Sequence, residues 1–282
     1  MALPLMLGLL VAATHVALVR QRAQDPTSRA TRTLHDLEIV FLAALVPVFY
    51  SRTGEVISAF GLTHRDDALM GVDRSLLGWL FPDGQISFWL DSSSWWGPQT
   101  LLGRVATEFL QLAYFSYYVW GYLLFLILGF RWVQDRSHVS LAELKAFMQA
   151  WVGCYLVNFL GYILVPAVGP QFVFASHYTH PLQGFWVTPA LRDFIHARQT
   201  TVEDCFPSGH TAMSWVTGLY AWKLTPSYGR WALGAAIPVT AATLFLRYHY
   251  VADLLAAVPL VGLGLAWGDW IRLPLQRAKV ER

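Results

Sequence analysis

The chain has few charged residues, and this scarcity sets its class. Charged residues make up 13% of the 282 positions, against about a quarter in an ordinary soluble domain. Hydrophobic residues make up 55% and gather in long runs. The composition therefore excludes a soluble globular domain and predicts an integral membrane protein. A net charge of +2 is too small to indicate a partner; we expect membrane lipids and the bilayer as partners, and no nucleic acid.

Cysteine is also scarce, with two residues in the chain. Cys205 falls in a predicted loop, whereas Cys154 lies deep inside the apolar run 146–168. At 1.5 Å rise per residue their depths in the membrane would differ by about 20 Å, so we expect no disulfide. The spacing of the cysteines does not indicate a zinc site either.

No repeat, low-complexity linker or separate soluble domain interrupts the chain. We expect an N-terminal membrane helix and a basic cytoplasmic loop in residues 1–33, followed by one membrane domain in residues 34–282. The first apolar run lacks a basic leading region, which favours an uncleaved helix over a signal peptide. At about 20 residues per span, the apolar runs predict six or seven transmembrane helices; the runs are 2–19, 34–50, 101–130, 146–168, 209–224, 231–248 and 250–271.

Basic residues predict the orientation in the membrane. Four stretches that could share one side hold 13 of the 20 lysines and arginines: 20–36, 131–145, 223–230 and 272–282. The positive-inside rule makes these stretches cytoplasmic. Residues 51–100, 169–208 and 247–250 then face outward. The tryptophans of 51–100 predict an interfacial lid, with simple anchoring of each ring to the bilayer as the alternative. We expect a multi-pass protein of an inner or plasma membrane with its active site on the external face.

The first polar cluster of interest is Arg247, His249 and Asp253. His249 and Asp253 are four residues apart, so on a helix they lie within reach of each other. The carboxylate can accept the proton of one ring nitrogen and leave the other as a nucleophilic lone pair. Arg247 offers a planar fork suited to phosphate oxygens. For His249 and Asp253 alone, the simpler alternative is a helix cap at the membrane interface.

The second cluster is Ser208, Gly209 and His210, which follows Pro207 and precedes an apolar run. Ser208 can cap a helix whose free amides form an anion site, and Gly209 allows close approach to the backbone. His210 would then stand beside the anion, where it could protonate a leaving oxygen. An ordinary helix start with a polar histidine is the alternative. Because the predicted topology brings both clusters to one membrane face, we expect them to form a single site.

These motifs, Cys-Phe-Pro-Ser-Gly-His-Thr-Ala at 205–212 and Arg-Tyr-His-Tyr-Val-Ala-Asp at 247–253, resemble the type 2 phosphatidic acid phosphatase superfamily of membrane lipid phosphatases and phosphotransferases. The resemblance implies an all-α, polytopic membrane bundle with a six-helix core, to which the N-terminal helix is additional. It further implies that His249 is the nucleophile that forms a phosphohistidine, that Asp253 supports it, and that His210 is the acid. Ser208 and Gly209 match phosphate-binding positions, and no metal or other cofactor is implied.

One departure from the family pattern affects the predicted substrate. The phosphatase members carry an upstream Lys-x6-Arg-Pro element, and the corresponding Val165 to Gln171 region here has neither lysine nor arginine. A phosphodiester carries less charge than a phosphomonoester and needs less compensation. The chain therefore looks more like the branch that contains inositol phosphorylceramide synthase and the sphingomyelin synthases, and residues 66–78 resemble that branch more loosely. Four other arginines could replace the missing charge: Arg65, Arg74, Arg104 and Arg192.

Further polar residues are weaker candidates for a substrate pocket. Glu108 lies inside an apolar helix, where carboxylates are functional suspects, although an ion pair with Arg104 is the simpler account. Tyr114, Tyr117 and Tyr118 could line a headgroup pocket or serve as packing residues. Asp204 could bind an acceptor alcohol or cap a helix.

The leading hypothesis is a lipid phosphotransferase, with a lipid phosphate phosphatase as the alternative that uses the same residues. Two other classes stay open. A zinc site is disfavoured because His210 and His249 lack close ligand spacing. A lipid transporter or scramblase would instead place ionisable groups near the bilayer midplane.

Overall fold

The computed structural model describes the backbone of residues 29–277 and the side chains of residues 44–269 except residue 138. The predicted N-terminal helix at 2–19 lies outside the described residues. Within the described range the chain has ten α-helices, one 3-10 turn at Pro82–Gly84 and no strand, which confirms the predicted all-α class. The helices are α1 (Arg29–Ala59), α2 (Asp66–Leu77), α3 (Ile86–Ser92), α4 (Leu101–Asp135), α5 (His138–Leu164), α6 (Pro170–Val173), α7 (Val187–Arg198), α8 (Gly209–Leu224), α9 (Pro226–Phe245) and α10 (Val251–Arg277).

Three of the described helices are long and apolar enough to cross a membrane, over Leu101–Asp135, Val139–Leu164 and Val251–Asp269. This fits an integral membrane protein. The other predicted spans in the described range fall on α1, α8 and α9. Helix α8 has 16 residues, fewer than the about 20 that a span needs, and α1 and α9 each contain an internal proline.

The core forms where α5 packs against α10 and α8 packs against α9. Small residues at these contacts let the helix backbones approach closely; Ala146, Ala150, Ala212, Ala236 and Ala257 have no exposed surface. Larger side chains fill the space between them, including Phe147, Met148, Met213, Val216 and Tyr220. Long stretches of α4 instead present apolar side chains outward, as expected of a lipid-facing helix; Phe109, Leu126 and Phe130 are exposed.

The bundle has two chemically different ends. At one end Arg131 Nη1 donates to the carbonyl of Leu224 at 3.0 Å, and Lys223 pairs with Asp269 at 2.7 Å. At the other end, helices α2 and α3 with the 3-10 turn between them form an outer layer, defined as residues 66–92. This layer packs on α6, on the start of α10 and on the loop before it. Both polar clusters identified in the sequence lie at this end of the bundle, beneath the outer layer.

Candidate active site

The His249 and Asp253 pair forms as predicted. Helix α10 begins at Val251, so His249 precedes it and Asp253 lies in its first turn. His249 Nδ1 is 3.1 Å from Asp253 Oδ2, and both residues are buried. This contact occupies one ring nitrogen and leaves Nε2 without a hydrogen-bond partner among the described side chains. Asp253 Oδ2 also accepts the amide of Tyr250 at 2.8 Å, so the carboxylate is both a partner of His249 and a helix cap.

Cys205 joins the two polar clusters. Its Sγ donates to Asp253 Oδ2 at 3.0 Å, and it is a free, buried cysteine, as is Cys154. Burial and the neighbouring carboxylate raise the pKa of the Cys205 thiol. The ligand atoms of Cys205, His249 and Asp253 lie within 4.8 Å of one another. In the described part of the chain, this group is the candidate for holding a metal ion, although its members already bond to each other directly.

Ser208 caps helix α8 as predicted. The helix begins at Gly209, and Ser208 Oγ accepts from the amide of Thr211 at 3.4 Å and donates to its hydroxyl at 3.0 Å. A Cβ atom added at Gly209 would meet Asn158 Oδ1 at 2.5 Å. Glycine is therefore required here by space, because α5 passes close to the start of α8.

His210 stands beside His249, with 6.1 Å between the ring centroids. Its ring stacks on Tyr114 at 4.2 Å, and its Nδ1 lies 3.2 Å from the Tyr114 hydroxyl. Its Nε2 is buried without a partner. A buried polar atom left unpaired costs about 1–3 kcal/mol, and this nitrogen belongs to a residue that lines the cavity described next.

Both histidines open on a cavity of about 450 Å³ with an unusually aromatic wall. Tyr114, Tyr117, Tyr118 and Asp204 line it, in agreement with the predicted pocket. Five further tyrosines do so as well: Tyr50, Tyr122, Tyr155, Tyr162 and Tyr248. Apolar walls with a few polar groups are typical of a small-molecule site.

Asp204 supplies a carboxylate to this cavity. It accepts from the hydroxyl of Tyr50 at 2.7 Å and from Gln199 Nε2 at 2.9 Å. Burial raises the pKa of Asp204 above the ordinary carboxyl value, and these two hydrogen bonds offset part of that rise. Each carboxylate oxygen accepts one of these two hydrogen bonds, so lone pairs remain that can accept from a ligand donor.

Glu108 has a different position from the one predicted. It does not line the cavity but accepts from the four backbone amides of residues 185–188 and from the Thr188 hydroxyl. The local ion pair with Arg104 is not formed either, because Arg104 donates to the carbonyl of Gly184 at 3.1 Å. Glu108 therefore anchors the start of α7, the helix whose Phe194 and Ile195 close one side of the cavity.

Arg247 also has a different environment from the one expected of a phosphate ligand. Its guanidinium is buried, donates to Asp91 Oδ1 at 2.7 Å and lies over the Tyr178 ring at 3.7 Å. It does not line the cavity. The residue adopts a left-handed φ of 67°, and this turn directs the chain from α9 into the His249 segment.

The Val165 to Gln171 region, which has neither lysine nor arginine, lies against the site. Val168 and Gln171 line the cavity, and Asp66 accepts from the amides of Val168 and Gly169 at 3.2 and 2.9 Å. Of the arginines considered as substitutes, Arg65 and Arg74 are exposed, and Arg192 donates to the carbonyl of Leu182 at 3.1 Å. The arginine that does line the cavity is Arg198, which sequence reasoning missed.

Several other site residues were not found from the sequence. Asn158 is fully buried, donates to the carbonyl of Pro207 at 2.8 Å and leaves Oδ1 unpaired at the cavity wall. An isolated amide inside the apolar run 146–168 is a signal that could have identified it. The buried acidic residues of the outer layer were also missed, because their sequence signal is weak. It consists of the seven-residue spacing of Asp66 and Asp73, which places both on one face of a helix.

Comparison with known proteins agrees with this arrangement. The model of a family described as the PAP2 superfamily matches residues 88–267, more than half of the chain. A PA-phosphatase related-family protein from Dictyostelium discoideum is 34% identical over 249 residues, an alignment covering 82% of this chain and 45% of that protein. The chain thus spans less than half the length of this relative. No solved structure matches significantly. With both sequence motifs inside the matched range, the chain belongs to the PAP2 superfamily.

Proposed function

We propose that the protein is a membrane lipid phosphotransferase that moves a phosphate-containing headgroup between lipids through a phosphohistidine on His249. The observation that carries the proposal is the pair of histidines at one aromatic cavity. Asp253 occupies Nδ1 of His249, and Nε2 of His210 is buried without a partner. Superfamily membership supports phosphatase or phosphotransferase chemistry on a lipid phosphoester.

In the first half-reaction, the Nε2 lone pair of His249 attacks phosphorus. The N–P bond forms as the P–O bond to the departing lipid alcohol breaks, and protonated His210 gives its Nε2 proton to that oxygen. The positive charge that develops on His249 is stabilised by Asp253 through Nδ1. The Tyr114 hydroxyl accepts from Nδ1 of protonated His210, which leaves the Nε2 proton for transfer.

In the second half-reaction, an acceptor hydroxyl attacks the phosphohistidine. Its proton passes to Nε2 of His210 as the new P–O bond forms and the N–P bond breaks. This step restores both histidines to their starting states. The cycle needs no metal ion, and Cys205 contributes by orienting Asp253 through its thiol hydrogen bond.

The transferred phosphate would bind at the start of helix α8. Free amides and the positive end of the helix dipole favour an anion there; Gly209 lies at the cavity wall, and the buried Ser208 caps the same terminus through the Thr211 amide. The Val165 to Gln171 region, which has neither lysine nor arginine, places Val168 and Gln171 at the cavity, and Arg198 is the single arginine among its lining residues. A diester with one negative charge therefore suits the site better than a monoester dianion.

The aromatic cavity supports transfer over hydrolysis, because a site that excludes water protects the phosphohistidine until a lipid acceptor arrives. Asp204 lines the same cavity and can accept from a second hydroxyl or an amide of the acceptor lipid, while the attacking hydroxyl gives its proton to His210. We propose that, within the superfamily, the chain is most similar to the branch that contains inositol phosphorylceramide synthase and the sphingomyelin synthases. The second candidate is a lipid phosphate phosphatase, which the name of the Dictyostelium relative favours.

We further propose a multi-pass arrangement in an inner or plasma membrane, with the site on the external face. The contacts of Arg131 and Lys223 gather basic loops at the end of the bundle away from the outer layer. A basic end is expected to be cytoplasmic. The opposite end, which carries the histidines, would then face outward.

Product analysis by thin-layer chromatography and mass spectrometry tests the function. Purified protein in mixed micelles is offered phosphatidic acid, an isoprenyl diphosphate, and a phosphoinositide or phosphocholine lipid together with ceramide or diacylglycerol. We expect a new phospholipid without free phosphate from wild type, and no product from His249→Ala. The matched control is His64→Ala, an exposed histidine outside the cavity, which should retain activity.

Two other outcomes would change the conclusion. Inorganic phosphate released by wild type alone would establish the phosphatase candidate instead. Full activity in His249→Ala would contradict the phosphohistidine mechanism under either candidate.

A further inference from the structure

The outer layer supplies three buried carboxylates to the segments that carry the catalytic residues. Asp66, Asp73 and Asp91 are 6%, 1% and 5% exposed. Asp66 and Asp73 precede the range 88–267 matched by the family model. Burying a carboxylate is costly unless it is hydrogen-bonded, so the contacts of these three side chains show what the layer holds in place.

Asp73 holds the start of helix α10. Its Oδ2 accepts from the amide of Val251 at 3.0 Å, and its Oδ1 accepts from the amide of Ala252 at 2.9 Å. These are among the amides that a helix start leaves without a partner inside the helix. His249 lies two residues before Val251 and Asp253 directly follows Ala252, so the two hydrogen bonds fix the peptide that separates the catalytic pair.

Asp66 joins the same peptide to the loop that faces the cavity. Its Oδ1 accepts from the Tyr250 hydroxyl and from the amide of Gly169, both at 2.9 Å, and its Oδ2 accepts from the amide of Val168. Tyr250 is adjacent to the nucleophile, and Val168 lines the cavity. One side chain of the outer layer thus ties the nucleophile segment to the neighbouring loop, whose Val168 lines the cavity.

Asp91 engages the third point, the turn before His249. It accepts from Arg247 Nη2 at 2.7 Å, and its other oxygen accepts from the amide and hydroxyl of Thr179, both at 2.8 Å. Arg247 also donates to the carbonyl of His180 at 3.2 Å. Removing one partner of such a buried pair leaves an uncompensated charge, so the guanidinium is held in this position and away from the cavity.

We propose that the outer layer is a positioning unit of the active site. In this unit Asp73, supported by Asp66 and Asp91, sets the orientation of His249 and Asp253. Arg247 acts through its contact with Asp91 and is not a ligand of the transferred phosphate. The inference rests on the proposed function for its kinetic test. Its structural test does not need activity, so failures of the two proposals can be told apart.

The first experiment compares Asp73→Asn with Asp67→Asn in the full chain. Asp67 lies on the same helix but is exposed, which makes it a matched control. An asparagine at position 73 presents an NH₂ group to one of the two backbone amides. We expect hydrogen–deuterium exchange of the amides of residues 250–253 to rise by roughly 10-fold or more in Asp73→Asn alone. Equal exchange in the two variants would overturn the positioning role, whether or not turnover is detected.

The kinetic readout separates positioning from binding. In Asp73→Asn we expect kcat to fall by about 10- to 100-fold with KM within about 2-fold of wild type. A raised KM with unchanged kcat would overturn the inference, because it would assign the layer to substrate binding.

The role of Arg247 is tested by a double-mutant cycle with Asp91. Arg247→Gln, Asp91→Asn and the double variant should lower kcat to similar extents without additivity, because the two residues act as one unit. If Arg247→Gln raises KM while Asp91→Asn matches wild type, Arg247 is a phosphate ligand and this part of the proposal fails.

Milder variants cover the case in which a buried charge change prevents folding. Thr179→Val removes one hydrogen bond to Asp91, and Tyr250→Phe removes one to Asp66, each with little change in volume. A fall in kcat of roughly 3- to 10-fold with unchanged KM is expected for each. Wild-type kcat in both variants would contradict the positioning role.

Discussion

The anchoring of helix α7 by Glu108 leads to a quantitative prediction for Glu108→Gln. The carboxylate receives five hydrogen bonds from residues 185–188, at distances from 2.6 to 3.1 Å. Its Oε1 accepts from two amides, and its Oε2 accepts from two amides and the Thr188 hydroxyl. Glutamine keeps one acceptor oxygen and turns an NH₂ group toward the donors of the other. At least two amides therefore lose their partner, and the charge that complements the helix dipole is lost.

The expected cost follows from these losses. Hydrogen bonds to charged groups contribute about 1.5–3 kcal/mol each, and a charge at a helix start contributes about 0.3–1 kcal/mol. Glu108 is half-buried, so water can replace part of what is lost. A net local cost of about 2 kcal/mol is reasonable, which corresponds to a roughly 30-fold increase in the open population of α7.

Hydrogen–deuterium exchange of residues 187–198 measures this opening directly. Because α7 closes the cavity but carries neither of the two histidines proposed to be catalytic, we also expect KM to rise with little change in kcat. Thr188→Val is the graded control, since it removes one of the five hydrogen bonds and should increase exchange only a few-fold. If exchange in α7 is the same in Glu108→Gln and wild type, the anchoring role assigned to Glu108 is wrong.

Three further predictions concern the cavity itself. Tyr114→Phe removes the hydroxyl that contacts Nδ1 of His210 and should lower kcat by about 10-fold without unfolding the protein, as measured by steady-state kinetics beside circular dichroism. Asp204 has a raised pKa and must be ionised to accept from a substrate hydroxyl, so activity should fall as the pH drops through that pKa; a pH–rate profile of Asp204→Asn that keeps the same acidic limb would refute this assignment. Gly209→Ala places a methyl group against Asn158 and should destabilise the protein by about 1–3 kcal/mol in thermal unfolding; an unchanged melting temperature would show that α5 can yield at this contact.

Local sequence patterns predicted two contacts of the site well. The four-residue spacing of His249 and Asp253 predicted their contact, and Ser208 before an apolar run predicted the cap of α8. Both features depend on residues close in sequence, whose relative positions follow from helix geometry alone. The membrane class likewise followed from composition, because a chain with so little charge cannot cover its helices with polar surface.

Tertiary structure decided which partner each remaining polar residue takes. Arg247 and Glu108 were both expected near the substrate, yet one pairs with Asp91, 156 residues away, and the other caps a helix about 80 residues further along the chain. A long charged side chain has several partners within reach, and the choice depends on which elements the fold brings together.

The sequence by itself therefore determined the all-helical class, the helix starts that carry Ser208 and Asp253, and the pairing of His249 with Asp253. Only the tertiary structure brought the outer layer onto the start of α10 and enclosed His210 and His249 in one aromatic cavity. The physical reason is that helix caps and four-residue contacts are local, whereas a cavity and a buried carboxylate acquire their surroundings from segments that are distant in sequence and meet only when the helices pack.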